Sequence, residues 1–359
     1  MPSVRILALD AGAGTQDIWL YDAQQTPENC PKLVLPAQTQ VVATRIRAVT
    51  ARERPLFLYG TVMGGGASSE AILAHRAAGL PVYATAAAAR TLHNDLERVR
   101  AMGIQLVEAP PPDADAVWLG DVDLPALRHA LAAFEVTVPS IVAIAVQDHG
   151  YAPGRDTHAT RYAFLQRLLA AGGDPYQMAF RTPPPGMLRM HAVAQLIPGA
   201  VIMDTGAAAV LGCLCDPLVA AAAAEDGAVL VNIGNMHTFA IALRRGTVYG
   251  LFEHHTGGIT ADLLNGLVER LQHGQLTHED VIAGGGHGAA FHPAYRTAGS
   301  FPFVAITGPN RHLARGLGYY EAAPFGDMML TGAFGLVEAT LRLLEREYGL
   351  TGLPRLTVH

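Results

Sequence analysis

Asp10, Gly12, Gly14 and Thr15 bring a carboxylate, two glycines and a hydroxyl into one short turn. Glycine lets backbone N–H groups approach an anion with no Cβ in the way. Asp10 could hold a water-shelled Mg²⁺ beside that anion; an ordinary glycine-turned hairpin is the other reading. Asn232, Gly234, Asn235 and His237 make a second polar turn, and Gly308 and Asn310 mark a third. Asp204 directly precedes Thr205-Gly206 and an alanine-rich run. An aspartate there suits a helix N-cap. It could also take a proton from an attacking hydroxyl or water, or orient Mg²⁺ together with Asp10.

The chain carries 15 histidines, several of them beside glycine or in pairs: His149, His237, His254-His255, His287 and His312. Ordinary loop histidines are one reading. A substrate-binding role for His149, Glu253, His254 and His255 is another, because Gln147-Asp148-His149-Gly150 follows a strong strand signal, where α/β proteins place ligands. Glu253, His254 and His149 could also form a metal site, but no helix-type or zinc-finger spacing marks one. The turn Gly60 to Ser69 runs into a helix and could take an anion or simply pack closely. It lacks the Lys-Ser/Thr of a P-loop.

These residues need elements to hold them. An apolar run ends at Asp10 and another starts at Ile18, which predicts a hairpin over residues 6–22. Residues 228–242 repeat that pattern, and 303–307 reads as a buried strand entering a glycine turn. Further strands are expected at 32–35, 55–59, 81–84, 104–107, 141–146 and 247–252. Helices are expected at 41–51, 68–78, 86–102, 160–171, 186–196, 205–213 and 335–348. Strands alternating with helices predict an α/β sheet covered on both faces. The proline runs at 110–112 and 183–185 read as loops. A second α/β unit runs from about Val201 to Ala333, and the two hairpins look like the trace of a duplicated domain.

The 359 residues are half apolar and 16% charged, enough for two cores and too apolar for disorder. A net charge of −6 with no basic run argues against nucleic acid or an anionic membrane as partner. Three cysteines make no disulfide framework and suit a reducing cytosol. Met1-Pro2-Ser3 leads straight into the first strand without signal-peptide anatomy. Apolar runs such as Leu218 to Ala224 are too short to span a bilayer. A cytoplasmic protein is expected.

The order of the segments around Asp10–Thr15, Asp204–Gly212, Asn232–His237, Gly308–Asn310 and Pro324–Gly335 resembles the actin-like ATPase superfamily of sugar kinases, acetate kinases, heat-shock chaperone ATPases and actin. More narrowly, Asp204-Thr205-Gly206, Asn232-Ile233-Gly234-Asn235, Phe252 to Gly257 and Gly285-Gly286-His287-Gly288 resemble the family labelled "putative pyruvate formate-lyase-activating-enzyme-like". A radical activase would need a three-cysteine cluster motif, and Cys30, Cys213 and Cys215 are not so spaced.

The superfamily resemblance implies two ribonuclease H-like domains around a nucleotide cleft: residues 1–200 with inserted helices, 201–334, and a C-terminal helix and tail at 335–359 packing back on the first. It implies ATP and Mg²⁺ as cofactors. Asp10 and Asp204 would serve the metal, and Asp10, Gly12, Gly14, Thr15, Gly234 and Asn235 the phosphates. Gly308 and Asn310 would cover the adenosine, and Asp204 would be the catalytic base, with Asp10 beside it. Asn232 stands where chaperones and hexokinases commonly have aspartate, which weakens a chaperone-type reading more than a kinase one. The expected function is phosphoryl transfer to a small, anionic metabolite. The alternatives are an ATP-driven switch acting on a partner enzyme and a nucleotide sensor without turnover. Some members are activators that bridge an iron–sulfur cluster between the subunits of a homodimer. Cys213 and Cys215 could do so, or could simply pack as small hydrophobes.

Overall fold

The computed structural model describes residues 4–152 and 157–356. Met1–Ser3, read above for a leader, and the last three residues of the tail lie outside the described residues.

The chain opens with an antiparallel meander of β1 (Arg5–Ala11), β2 (Thr15–Asp22) and β3 (Lys32–Pro36). Everything after Arg5 in β1 is buried, as suits a strand covered on both faces, and explains its unbroken apolar run. The chain then builds a separate parallel sheet of β4 (Leu56–Gly60), β5 (Val82–Ala84), β6 (Gln105–Leu106) and β7 (Asp115–Leu119), ordered β6-β5-β4-β7. It returns with β8 (Ile141–Ala145), β9 (Ala179–Phe180) and β10 (Val201–Met203), which complete a sheet ordered β3-β2-β1-β8-β10-β9.

A third sheet follows from β11 (Ala228–Ile233), β12 (His237–Arg244), β13 (Thr247–His255), β14 (Gly288–Phe291), β15 (Phe303–Thr307) and β16 (Tyr320–Glu321). Its order is β14-β13-β12-β11-β15-β16. The two six-stranded sheets therefore share a plan. Three consecutive strands pair antiparallel, and two more extend the sheet in parallel from the first: β8 and β10 beyond β1, β15 and β16 beyond β11.

Two helices lie between these sheets. Helix Thr205–Gly212 and helix Thr331–Tyr348 cross closely, because a Cβ on Gly212 would overlap Thr331 and one on Gly335 would overlap Ala208. Phe334 meets Trp19 of β2 edge to face, ring centroids 4.8 Å apart. One continuous apolar core joins Ile6 and Ala8 of β1, Leu230 of β11, Ile241 of β12 and both helices. The four-stranded sheet keeps its own core around Ile46, Leu58, Ile72 and Val117.

Several local expectations change. Residues 86–102 form two short helices, Ala86–Ala89 and Leu96–Ala101, because Asp95 caps the second by accepting from Glu97 N. The strand expected over 247–252 continues to His255. The closing helix starts at Thr331, after a short 3-10 turn at Pro324–Gly326. Strands β4 to β7 do not join the β1 sheet, since alternation with helices does not say which sheet a strand enters. Among the described residues no single helix is long and apolar enough to cross a membrane, and the apolar pair Thr205–Cys215 and Pro217–Ala224 is bent by 96°.

Candidate functional site

The β1–β2 and β11–β12 turns meet. A Cβ on residue 14 would lie 2.5 Å from Asn235 Nδ2, so the two tips touch only because residue 14 is glycine. Between and below them lies a cleft of about 710 Å³, lined by Asp10, Gly12 and Thr15 on one side and Gly234, Asn235 and Gly308 on the other. Gly308, at φ +100°, packs under the second turn, where a Cβ would lie 2.7 Å from Asn232 Oδ1. Asn310 does not line the cleft. Its Nδ2 donates to Gly234 O at 2.9 Å and its backbone N to Ile233 O at 3.0 Å, so it buttresses the turn.

Asp10 and Asp17 sit opposite each other across β1 and β2, both buried, and both line the cleft. Oδ1 of each has no hydrogen-bond partner. Burial, then the charge of Asp17, pushes the Asp10 carboxyl up to about 8, although the Thr205 hydroxyl donates to it. Burial pushes Asp17 up to about 7 against the opposing hydrogen bond from Thr15. Asp10 also abuts Gly332, where a Cβ would overlap Oδ2. Two buried carboxylates with open oxygens are the hard donors that a divalent cation neutralises, so the residues present fit Mg²⁺. Asp17 was not anticipated, although a three-residue turn after Ala11 puts it opposite Asp10.

Asp204 caps helix Thr205–Gly212, its Oδ1 accepting from Gly206 N at 3.0 Å and Ala207 N at 3.2 Å. Its Oδ2 accepts from Arg161 Nη1 at 2.6 Å. Arg161 Nε donates to Glu253 Oε2 at 2.9 Å, so one guanidinium joins two carboxylates in a buried triad. Gln147 Nε2 donates to the other Glu253 oxygen. Burial raises the Glu253 carboxyl above the usual carboxylate range, outweighing the pull of Arg161. Arg161 escaped the sequence reading. Its one signal is a charge at i, i+4 and i+7 with Leu165 and Leu168, on the apolar face of its helix.

The histidines sort by strand alternation. His237 faces His255 across β12 and β13, and Phe239 faces Glu253. Glu253 and His255 therefore share one face while His254 takes the other. There His254 Nδ1 and Nε2 lie 2.8 Å from the His255 and Gly284 carbonyls. The expected grouping of Glu253, His254 and His149 is thus replaced by His149, His237, Glu253 and His287, whose ligand atoms all lie within 4.8 Å of one another. His255 stands just outside, Nε2 to His287 Nε2 at 2.8 Å.

Beside the cleft opens a larger groove of about 1410 Å³, which shares Gly12, Gln147 and His237 with it. The Gly64-Gly65-Gly66 turn, Arg90 and Arg189 line it. Asp121 ties this wall together, accepting from Arg189 Nε and Nη2 at 2.7 Å each and from Gly64 N at 3.0 Å. Cys213 and Cys215 are buried beside helix Thr205–Gly212, and Cys30 is buried at the end of β2.

A sequence model of the family described as "Putative pyruvate format-lyase activating enzyme (DUF1786)" matches residues 63–313. No curated protein matches the chain. Among solved structures it is similar to the ethanolamine utilization protein EutJ from Carboxydothermus hydrogenoformans, with 11% identity over 94% of this chain and 90% of that one, TM-score 0.34. It is also similar to the activator of the 2-hydroxyisocaproyl-CoA dehydratase from Clostridium difficile with bound ADPNP, with 9% identity over 98% and 100%, TM-score 0.32. A third is the (R)-2-hydroxyglutaryl-CoA dehydratase component A from Acidaminococcus fermentans, with 11% identity over 93% and 96%, TM-score 0.30.

Proposed function

The chain belongs to the family whose sequence model it matches, and on that premise we propose that it binds Mg·ATP in the cleft between its two hairpins and transfers the terminal phosphoryl group to a small anionic metabolite. One observation carries this reading: the glycine turns of two sheets with the same strand plan touch at Gly14 and Asn235, above a cleft that holds Asp10 and Asp17. That repeated plan supports two ribonuclease H-like units of the actin-like ATPase kind.

Bound Mg·ATP supplies an activated phosphoryl group, and catalysis of its transfer is mostly positioning and charge neutralisation. Backbone N–H groups of Gly12, Gly14 and Asn235 would cradle phosphate oxygens, while the Gly234 N–H donates to His237 O at 3.0 Å and closes the second turn. Asp10 and Asp17 hold the ion's water shell, with Thr15 turned toward Asp17. Gly308 supplies the wall for the nucleoside, with Asn310 behind the second turn. In the groove beside the cleft Arg189 is paired with Asp121, and Arg90 is the cation that would meet an acceptor of negative charge. Asp204 lines neither the cleft nor the groove and both its oxygens are bonded, so it would orient the acceptor or take its proton only once Arg161 releases Oδ2.

The full hydrogen-bonding of Asp204 favours a second reading, in which hydrolysis drives a switch that serves a partner enzyme. Arg161 links Asp204, beside the β1 sheet, to Glu253 on β13, so a relative shift of the sheets would remake this triad. Radical activation through an iron–sulfur cluster is not proposed. Such a cluster, even one bridging two subunits, needs accessible thiolates, and Cys30, Cys213 and Cys215 are all buried.

The test is ATP consumption across a panel of small anionic acceptors, with Asp204→Asn beside the wild type. Acceptor-dependent turnover that falls about 10²–10⁴-fold in the variant, with nucleotide affinity kept, supports transfer with Asp204 as base. Hydrolysis stimulated only by a protein partner supports the switch. Tight binding without turnover marks a sensor and overturns both.

A further inference from the structure

His149, His237, His287 and Glu253 come from four separate segments: the loop after β8, the start of β12, the residue before β14, and β13. The three imidazole centroids form a near-equilateral triangle with sides of 5.0, 5.1 and 4.8 Å. With Glu253 they offer four ligand atoms, all within 4.8 Å of one another. In a tetrahedral site with bonds of about 2.0–2.1 Å, ligand atoms stand roughly 3.3 Å apart. The set stands within about 1.5 Å of that spacing.

The backbone around the set is built to aim it. Asp148 fixes the His149 loop, accepting from Gly150 N at 2.8 Å and from Met190 N at 3.0 Å. His287 N donates to Glu253 O at 2.9 Å, which ties two of the four residues together. Gly286 lets that segment run against β13, since a Cβ there would lie 2.7 Å from His254 Cδ2. Arg161 and Gln147 hold the Glu253 carboxylate from behind. Such partners to a ligating carboxylate are typical of metal centres. With Glu253 ionised, two carboxylates and one guanidinium leave the triad with one net negative charge, favourable for a cation. His149 and His237 also line the open groove, which gives an ion a way in.

We infer that His149, His237, His287 and Glu253 bind one divalent transition-metal ion, distinct from the nucleotide's Mg²⁺, where the cleft adjoins the groove. Three imidazoles and one carboxylate select borderline ions such as Zn²⁺ or Fe²⁺ over Mg²⁺ or Ca²⁺. The four donors close a tetrahedral zinc. A six-coordinate iron ion would have two positions left over for other ligands.

The test strips the full-length protein with chelator and titrates it with Zn²⁺, Fe²⁺ (without oxygen) and Mg²⁺, each alone, by calorimetry. Co²⁺ serves as a spectroscopic probe of histidine ligation. One equivalent of Zn²⁺ or Fe²⁺ is expected to bind at micromolar concentration or below, unaffected by millimolar Mg²⁺. His237→Gln and His287→Gln should each weaken it by at least about 100-fold, with metal-free melting temperatures like the wild type's. His129→Ala, on an exposed helix face, should still bind one equivalent. Co²⁺ bands lost in both glutamine variants confirm the ligands. Absence of stoichiometric binding, or binding that survives either folded glutamine variant, overturns the assignment. Should His237→Gln or His287→Gln fail to fold, Co²⁺ bands without histidine character in the wild type overturn it instead.

Discussion

Arg161 and Asp204 form an ion pair of 2.6 Å with side chains only 4% and 9% exposed, and the same guanidinium holds Glu253 at 2.9 Å. A charge so placed is tolerable only while its partners remain. Arg161→Met should therefore cost about 3–5 kcal/mol, because it leaves two buried carboxylates facing each other. Adding Asp204→Asn and Glu253→Gln should recover much of that loss. Urea unfolding of the single and triple variants measures both.

Gly14 and Asn235 should show coupling of another kind. Gly14→Ala pushes a methyl into the Asn235 amide, and such overpacking costs about 1–3 kcal/mol. Asn235→Ala in the same chain removes the clash, so the double variant should be more stable than Gly14→Ala alone. A double-mutant cycle in urea reads this interaction. Simple additivity would mean that the tips do not touch in solution.

Asp10 and Asp17 set a pH dependence. Their carboxyls, at about 8 and about 7, stand above the ordinary aspartate value of about 3.9. The folded protein thus holds protons that the unfolded chain releases. This contribution is complete below about pH 4 and is lost as pH rises toward 7 and 8. Between pH 5 and 8 the wild type should lose stability by up to about 1.4 kcal/mol per pH unit per group, and Asp10→Asn should flatten the slope. Mg²⁺ should stabilise most above about pH 8, where both carboxylates are ionised. Urea midpoints at several pH values, with and without Mg²⁺, check the sign.

How legible the site was varied with the physics involved. Both hairpins could be read because each is local, an apolar run turned by glycine, and Asp10, Gly12, Gly234 and Gly308 all line one cleft. Longer-range features were harder. His254 was grouped with Glu253 and His149 because its strand was expected to stop at Phe252. The strand runs on to His255, and alternation then turns His254 away. Asp17 depends on cross-strand register, and Arg161 on a helix that reaches across to β13. The separate β4–β7 sheet shows the same limit, because partner choice among strands is a tertiary property.

The most direct measurement is the melting temperature with millimolar ADP or ATP and Mg²⁺, in the wild type and in Asp10→Asn. A ligand at about 100 times its dissociation constant adds about 2.7 kcal/mol of stability, which for a chain of this length raises the melting temperature by about 2–4 °C per kcal/mol or less. Mg·nucleotide should shift the wild type upward by several degrees, and Asp10→Asn, folded without nucleotide, should lose most of that shift. A wild type that does not respond to nucleotide, or an Asp10→Asn variant that responds as fully, would contradict a Mg·nucleotide site between the hairpins.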